Sequence, residues 1–182
     1  MPQDATRVRV ALTGTVWNSD IGAVVPADIT VTPAATWADA GYTTEDGVTF
    51  SVEQNTEDLP AWQSNEALRT IVTSEPKSFN FTLRQLERQS FLLAFGGTVT
   101  TIGANNYRWT PPTAGAQLAK QWIIEFLDGA LKYRFVYRNC VQQGARELNF
   151  VRSNAVNIPL SYKVLAASPQ TWELQTNDPA FA

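Results

Sequence analysis

From Arg7 to Trp17 apolar and polar positions alternate. Val8, Val10 and Leu12 fall on one side and Arg7, Arg9 and Ala11 on the other, the period of a half-buried strand. Asn18 to Ala35 is rich in Asp, Gly and Pro, and Pro26 and Pro33 cannot donate ladder hydrogen bonds, so a long extended connection is expected there. Alternation returns with Val48, Phe50 and Val52 set against Thr49, Ser51 and Glu53, a second strand entered through a turn at Asp46-Gly47. Glu57 to Glu66 keeps no period and holds Pro60 and Trp62, which reads as a loop that folds back or docks elsewhere. Leu68 to Val72 predicts a short strand, interrupted at Pro76.

Phe79 and Phe81 alternate into a helix. Thr82 with Gln85 three residues on predicts its start as a capping box, and Gly96-Gly97 predicts its end. Leu83, Leu86, Ser90, Leu93 and Ala94 form one stripe of this helix, with Arg84, Gln85, Arg88 and Gln89 largely opposite. The last turn, Phe91 to Phe95, is apolar all round. One apolar face suffices to seat a surface helix, so Leu92 and Phe95 call for further cover from a loop or another subunit.

Asn105-Asn106 predicts a hairpin turn, and Asp128-Gly129 a stronger one of type I′, where both central positions need positive φ. Folding about Asp128-Gly129 sets Phe126 opposite Leu131, Ile124 opposite Tyr133 and Trp122 opposite Phe135, leaving one uniformly apolar face. Glu125 then pairs across with Lys132, while Lys132, Arg134 and Arg138 line what reads as the wet face of the sheet. Val156 to Val164 predicts a late strand in which Pro159 restricts the ladder. The sum is a mainly β chain, an antiparallel sandwich or barrel with one flanking helix. Length favours a single domain over residues 1–182, with arms expected at 1–6 and 173–182.

Composition narrows the function. Only 17% of residues are charged, low for a surface that must stay dispersed in water, so part of the surface is expected to meet a partner. The net charge of −3 gives no general basic surface to grip phosphates, which argues against sequence-specific nucleic-acid binding. A single cysteine, Cys140, excludes an intramolecular disulfide, and the lack of any histidine removes the commonest general base and metal ligand. Cys140 therefore reads as a structural thiol. Glu45, Asp46, Glu53, Glu57 and Asp58 could offer carboxylates for glycoside hydrolysis or calcium, but their spacing fits solvated loops better. No phosphate loop or dinucleotide fingerprint occurs, so neither an enzyme nor a cofactor is expected. The N-terminus lacks the apolar core of a signal peptide, and no apolar run approaches the ~20 residues that span a bilayer; a cytoplasmic protein without membrane insertion is expected.

Several pieces in order carry a family resemblance: Gly41-Tyr42, Glu45-Asp46-Gly47-Val48, Glu57-Asp58 ahead of Ala61-Trp62, Leu68-Arg69-Thr70, and Phe95-Gly96-Gly97. As a set they resemble the major tail, or tail tube, proteins of long noncontractile-tailed bacteriophages. The resemblance implies hexameric rings, with a β-barrel inner wall, stacked into a tube that conducts DNA from capsid to host. It implies tail tip or initiator, tail terminator and tape measure proteins as partners, double-stranded DNA in transit without sequence-specific contacts, and a place in the virion tail. Glu57, Asp58, Ala61 and Trp62 match the family's loop pattern and become candidates for contacts between subunits or rings. Trp37 joins them as a large residue in a loop, and Leu92 and Phe95 from the helix. The six tryptophans support a different reading as well, a monomeric carbohydrate-binding sandwich whose rings stack on sugars.

Overall fold

The computed structural model describes residues 4–181 apart from 117 and 149. Seven strands follow one antiparallel path. From one end it runs β2 (Ala38–Asp39), β1 (Thr13–Asp20), β9 (Ala119–Asp128), β10 (Leu131–Gln142), β11 (Ile158–Val164), β6 (Lys77–Leu83) and β3 (Thr43–Val52). β12 (Trp172–Thr176) pairs with Tyr133–Tyr137 of β10, and β11 takes over the same edge at Cys140–Gln142. An extra residue in β10 between Tyr137 and Cys140 lies at this changeover, a bulge that bends the strand. The path thereby folds into two facing layers, a sandwich.

Trp122 of β9 packs against Phe79, Phe81 and Tyr162 of the opposite layer at ring-centroid separations of 5.9, 5.3 and 4.5 Å. Phe50 of β3 meets Tyr137 and Trp172. Phe79, Leu83, Ile158 and Leu160 are fully buried with them, each contributing roughly 1.5–3 kcal/mol by apolar burial. The layers do not close into a barrel. Between β1 and β3 lies a cleft of about 290 Å³ with Ile124 and Phe126 behind it.

The helix α1 (Arg88–Phe95) ends at Gly96 as the sequence predicts, but starts six residues later than Thr82. Phe79, Phe81 and Leu83 keep alternating into the core, so β6 extends through Leu83, and Gln85 spends its side chain on the Tyr42 amide at 2.9 Å. The cap falls instead to Glu87, whose N–H donates to Ser90 Oγ at 3.0 Å. Ser90, Leu93 and Ala94 are its buried stripe, and Leu86 stays exposed.

Other expectations shift for similar reasons. The first strand begins at Thr13, not Arg7: Val8, Val10 and Leu12 lie exposed ahead of it, with the Leu12 N–H donating to the Leu127 carbonyl of β9 at 3.1 Å. Asp46-Gly47 is a bulge inside β3. Pro159 stands in β11 beyond the stretch that pairs with β10, where its missing N–H costs nothing. The β9–β10 turn is Gly129-Ala130, with positive φ at Gly129 alone, as a type II′ turn requires. Partners therefore move by two residues, Phe126 to Tyr133 and Trp122 to Tyr137, while each face keeps its residues.

The face expected to be wet is covered. The connection between β1 and β2 lies across β9 and β10 as a strap and forms a second small core of Trp37, Ile123 and Val136, with Trp17, Ala23 and Val25 against it. Arg134, fully buried, holds the strap: Nη1 donates to the Asp28 carbonyl at 2.6 Å and Nη2 to the Val31 carbonyl at 2.8 Å. Its Nε meets Glu125, the direct cross-strand partner, and Lys132 reaches the other Glu125 oxygen diagonally at 3.0 Å. Arg138 pairs with Glu173. The basic strip is thus a set of ion pairs under the strap.

The C-terminal stretch is folded rather than an arm. β12 lies in the sheet, and the buried Asp178 accepts from Arg9 Nε at 2.7 Å and from the Tyr133 hydroxyl. At the other end, Asp4 caps a 3-10 turn at Ala5–Arg7, and residues 1–3 lie outside those described. These donors, Arg9 first, hold the Asp178 carboxyl well below the usual range. A carboxylate depressed in the fold stabilises it above the unfolded value of about 3.9 and ceases to as pH falls through the folded value. Stability measured by urea unfolding as pH falls from about 5, roughly one unit above that unfolded value, to about 2, roughly two units below it, should therefore fall more steeply for the wild type than for Asp178→Asn. Parallel curves would exclude this clamp.

Cys140 is fully buried in the main core, and desolvation pushes its thiol well above the ordinary range. Native protein is expected to leave a thiol reagent unreacted until denaturant is added. Rapid labelling without denaturant would contradict that burial.

Candidate assembly surface

Two hairpins stand off the sandwich. The longer joins β4 (Asn55–Ala61) to β5 (Ser64–Ser74) through a turn at Trp62 and Gln63. Asp58 and Thr70 face each other across the ladder, and Thr70 Oγ1 donates to Asp58 Oδ1 at 2.6 Å. The register slips on either side of Pro60, which cannot donate, so the sequence loses its period and reads as a loop. Among the described side chains of this arm only Ile71 is half-buried. Leu59, Leu68 and Val72 are exposed, and Trp62 at the tip is 98% exposed. A two-stranded hairpin without a core is marginal in water. Such an arm needs a partner to hold its shape.

The candidates named from sequence separate here. Glu57 and Asp58 lie on β4, and Ala61 ends that strand; its side chain is outside the described residues. Together with Trp62 they share one projection. Trp37 is only 3% exposed, its Nε1 donating to the Val24 carbonyl at 2.9 Å, so this indole is used inside its own chain. Leu92 and Phe95 are half-buried. Phe95 packs on the main core and against Phe91, whose ring meets Trp109 edge-on at 5.3 Å. The cover asked for at this end of α1 comes partly from the same chain.

Trp109 belongs to the second hairpin, β7 (Thr98–Gly103) with β8 (Asn106–Thr110), and donates from Nε1 to the Gly96 carbonyl at 2.8 Å. The turn lies at Ala104-Asn105, with Asn105 at φ 56°, close to where the sequence places it. Gly97 makes the junction possible. Its φ is +82°, and a Cβ there would come within 2.2 Å of the Thr110 carbonyl oxygen. Beside α1 runs a groove of about 510 Å³, floored by Leu92, Leu93 and Leu118 and rimmed by Glu87, Arg88 and Lys120.

The outer edges of β3 and β12 carry no strand partner among the described residues. Free edges of this kind invite pairing with another chain. Sequence reasoning did not find the exposed Val8, Val10 and Leu12, because alternation alone placed them in a strand. The tryptophans do not form a row of sugar-stacking rings among the described residues. Trp37 and Trp122 are buried, Trp17 and Trp172 half-buried, and Trp109 is held against Phe91. The described residues also hold no group of three or more His, Cys, Asp or Glu placed to bind a metal, and no helix long and apolar enough to cross a membrane.

A protein-family model described as "Phage tail tube protein" matches residues 1–181. No curated protein matches the chain.

Proposed function

Because the chain belongs to the phage tail tube protein family, structural components of the virion tail, we propose that it closes into hexameric rings that stack as the tube through which DNA is ejected. The observation that carries this reading is the β4–β5 arm, a projection with an exposed tryptophan at its tip and no core of its own. Side-to-side joining through the free edges of β3 and β12 would satisfy their backbone groups around a closed ring. Contacts between unlike surfaces close a ring laterally and extend a filament axially. Glu57, Asp58, Ala61 and Trp62 act in the axial contact.

The low charge fraction and net charge of −3 suit a wall along which phosphate slides without being gripped. A tape measure protein occupies the lumen before DNA does, with a tip complex starting the tube and a terminator ending it. The chain is made in the host cytoplasm and acts without catalysis. Native mass spectrometry of the smallest closed assembly tests the stoichiometry, since each chain weighs 20.1 kDa. Six copies are expected, and any other closed number would overturn the hexamer.

A further inference from the structure

We propose that the groove between α1 and Leu118 in one copy receives the Trp62 tip of the β4–β5 arm of another; this rests on the assembly reading above. Within its own chain Trp62 is 98% exposed, so nothing there occupies or covers it. The groove offers what the indole lacks. Its floor is leucine, and its volume of about 510 Å³ falls within the range of roughly 300–1,000 Å³ typical of sites that take bulky apolar groups. Gly96 keeps the floor open, since a Cβ there would lie 2.9 Å from Leu118 Cδ1.

The rim supplies complementary chemistry. Arg88 is exposed beside the groove and can lie over an indole face, while the Glu87 carboxylate can accept from the indole N–H. Charge points the same way. Over residues 55–74 the arm carries Glu57, Asp58 and Glu66 against Arg69 alone, a net charge of −2. Residues 84–120, which include α1 and the groove, carry Arg84, Arg88, Arg108 and Lys120 against Glu87 alone, a net charge of +3 in a chain whose total is −3. Lys120 is held by Asp20 at 2.6 Å, so the three arginines provide the excess. An acidic arm with an aromatic tip and an apolar groove set in a net-basic segment of the same chain form a self-complementary pair of unlike surfaces, the arrangement that propagates a filament.

The test is site-specific crosslinking in the full-length chain. Copies carrying Gln63→Cys are mixed with copies carrying Leu118→Cys, allowed to assemble, and treated with a short bismaleimide; the native Cys140 is buried and silent. Crosslinked dimers are expected. They should be absent when Gln63→Cys is paired instead with Lys163→Cys, on the exposed face of β11. Leu118→Asp should raise the concentration at which polymer first appears about tenfold, the equivalent of about 1.4 kcal/mol of lost contact. Polymer that forms normally but gives no Gln63–Leu118 crosslink overturns the groove as the seat of Trp62 and leaves the assembly reading standing. A chain that never associates overturns both.

Discussion

Arg134→Ala is expected to lower folding stability by about 3–5 kcal/mol, the cost of breaking a buried ion pair from one side. The side chain is fully buried and binds four groups at once: Glu125 across the ladder, the carbonyls of Asp28 and Val31 in the strap, and Gln175 Oε1 on β12. Removing it strands the Val31 carbonyl, leaves the Asp28 carbonyl only the long bond from the Val31 N–H at 3.3 Å, and leaves Glu125 to Lys132 alone. Arg134→Lys keeps the charge but loses the planar fork that reaches two carbonyls, and should fall between wild type and alanine. Urea unfolding monitored by tryptophan fluorescence reads the effect, because Trp37 belongs to the strap and Trp17 packs against the small core it forms. A loss below about 0.5 kcal/mol, within the range of ordinary surface substitutions, would mean that the strap is held by other contacts.

Trp62→Ala should do the opposite. With the indole 98% exposed, the stability of the isolated chain is expected to stay within about 0.5 kcal/mol of wild type. Assembly should suffer instead. A buried aromatic anchor is worth about 2 kcal/mol or more to an interface, so polymer should first appear at a concentration roughly 30-fold higher. Light scattering across a concentration series measures that threshold. A fall in melting temperature with unchanged assembly would assign Trp62 to its own core.

The parts of the fold legible in the sequence are those where one face meets the core and the other meets water. Phe79 and Phe81, and Trp122 and Ile124, alternate as strands must, and they are core residues; Leu83, which the sequence assigns to the helix, continues the same strand. The β9–β10 hairpin is legible as a hairpin but not in register. A glycine at position 129 fits the second place of a type I′ turn or the first of a type II′ turn, and the two readings differ by two residues. The strap escapes period-2 reasoning, because it buries the second face of β9 and β10 and turns apparently wet arginines into buried ones. One sign was present in the adjacent Ile123 and Ile124, since neighbouring isoleucines fill opposite faces of a strand and point to cover on both.

At the candidate surface the logic inverts. The arm has no inside, so selection for a buried face leaves no period in its sequence, and β4 reads as a loop around Pro60. Trp62 was legible because a large apolar residue among turn and acidic residues has no local use. Trp37 satisfies the same description yet is buried, because what decides between them is the path of the strap, a tertiary fact. The groove beside α1 combines Leu92 with Leu118, separated by a whole hairpin, and only the fold brings them together.

Negative-stain electron microscopy of the purified chain across a concentration series tests the central claim most directly. Hollow tubes or stacked rings, growing in number and length with concentration, are the predicted result. Monomers at every concentration, with no rings or tubes, would contradict it.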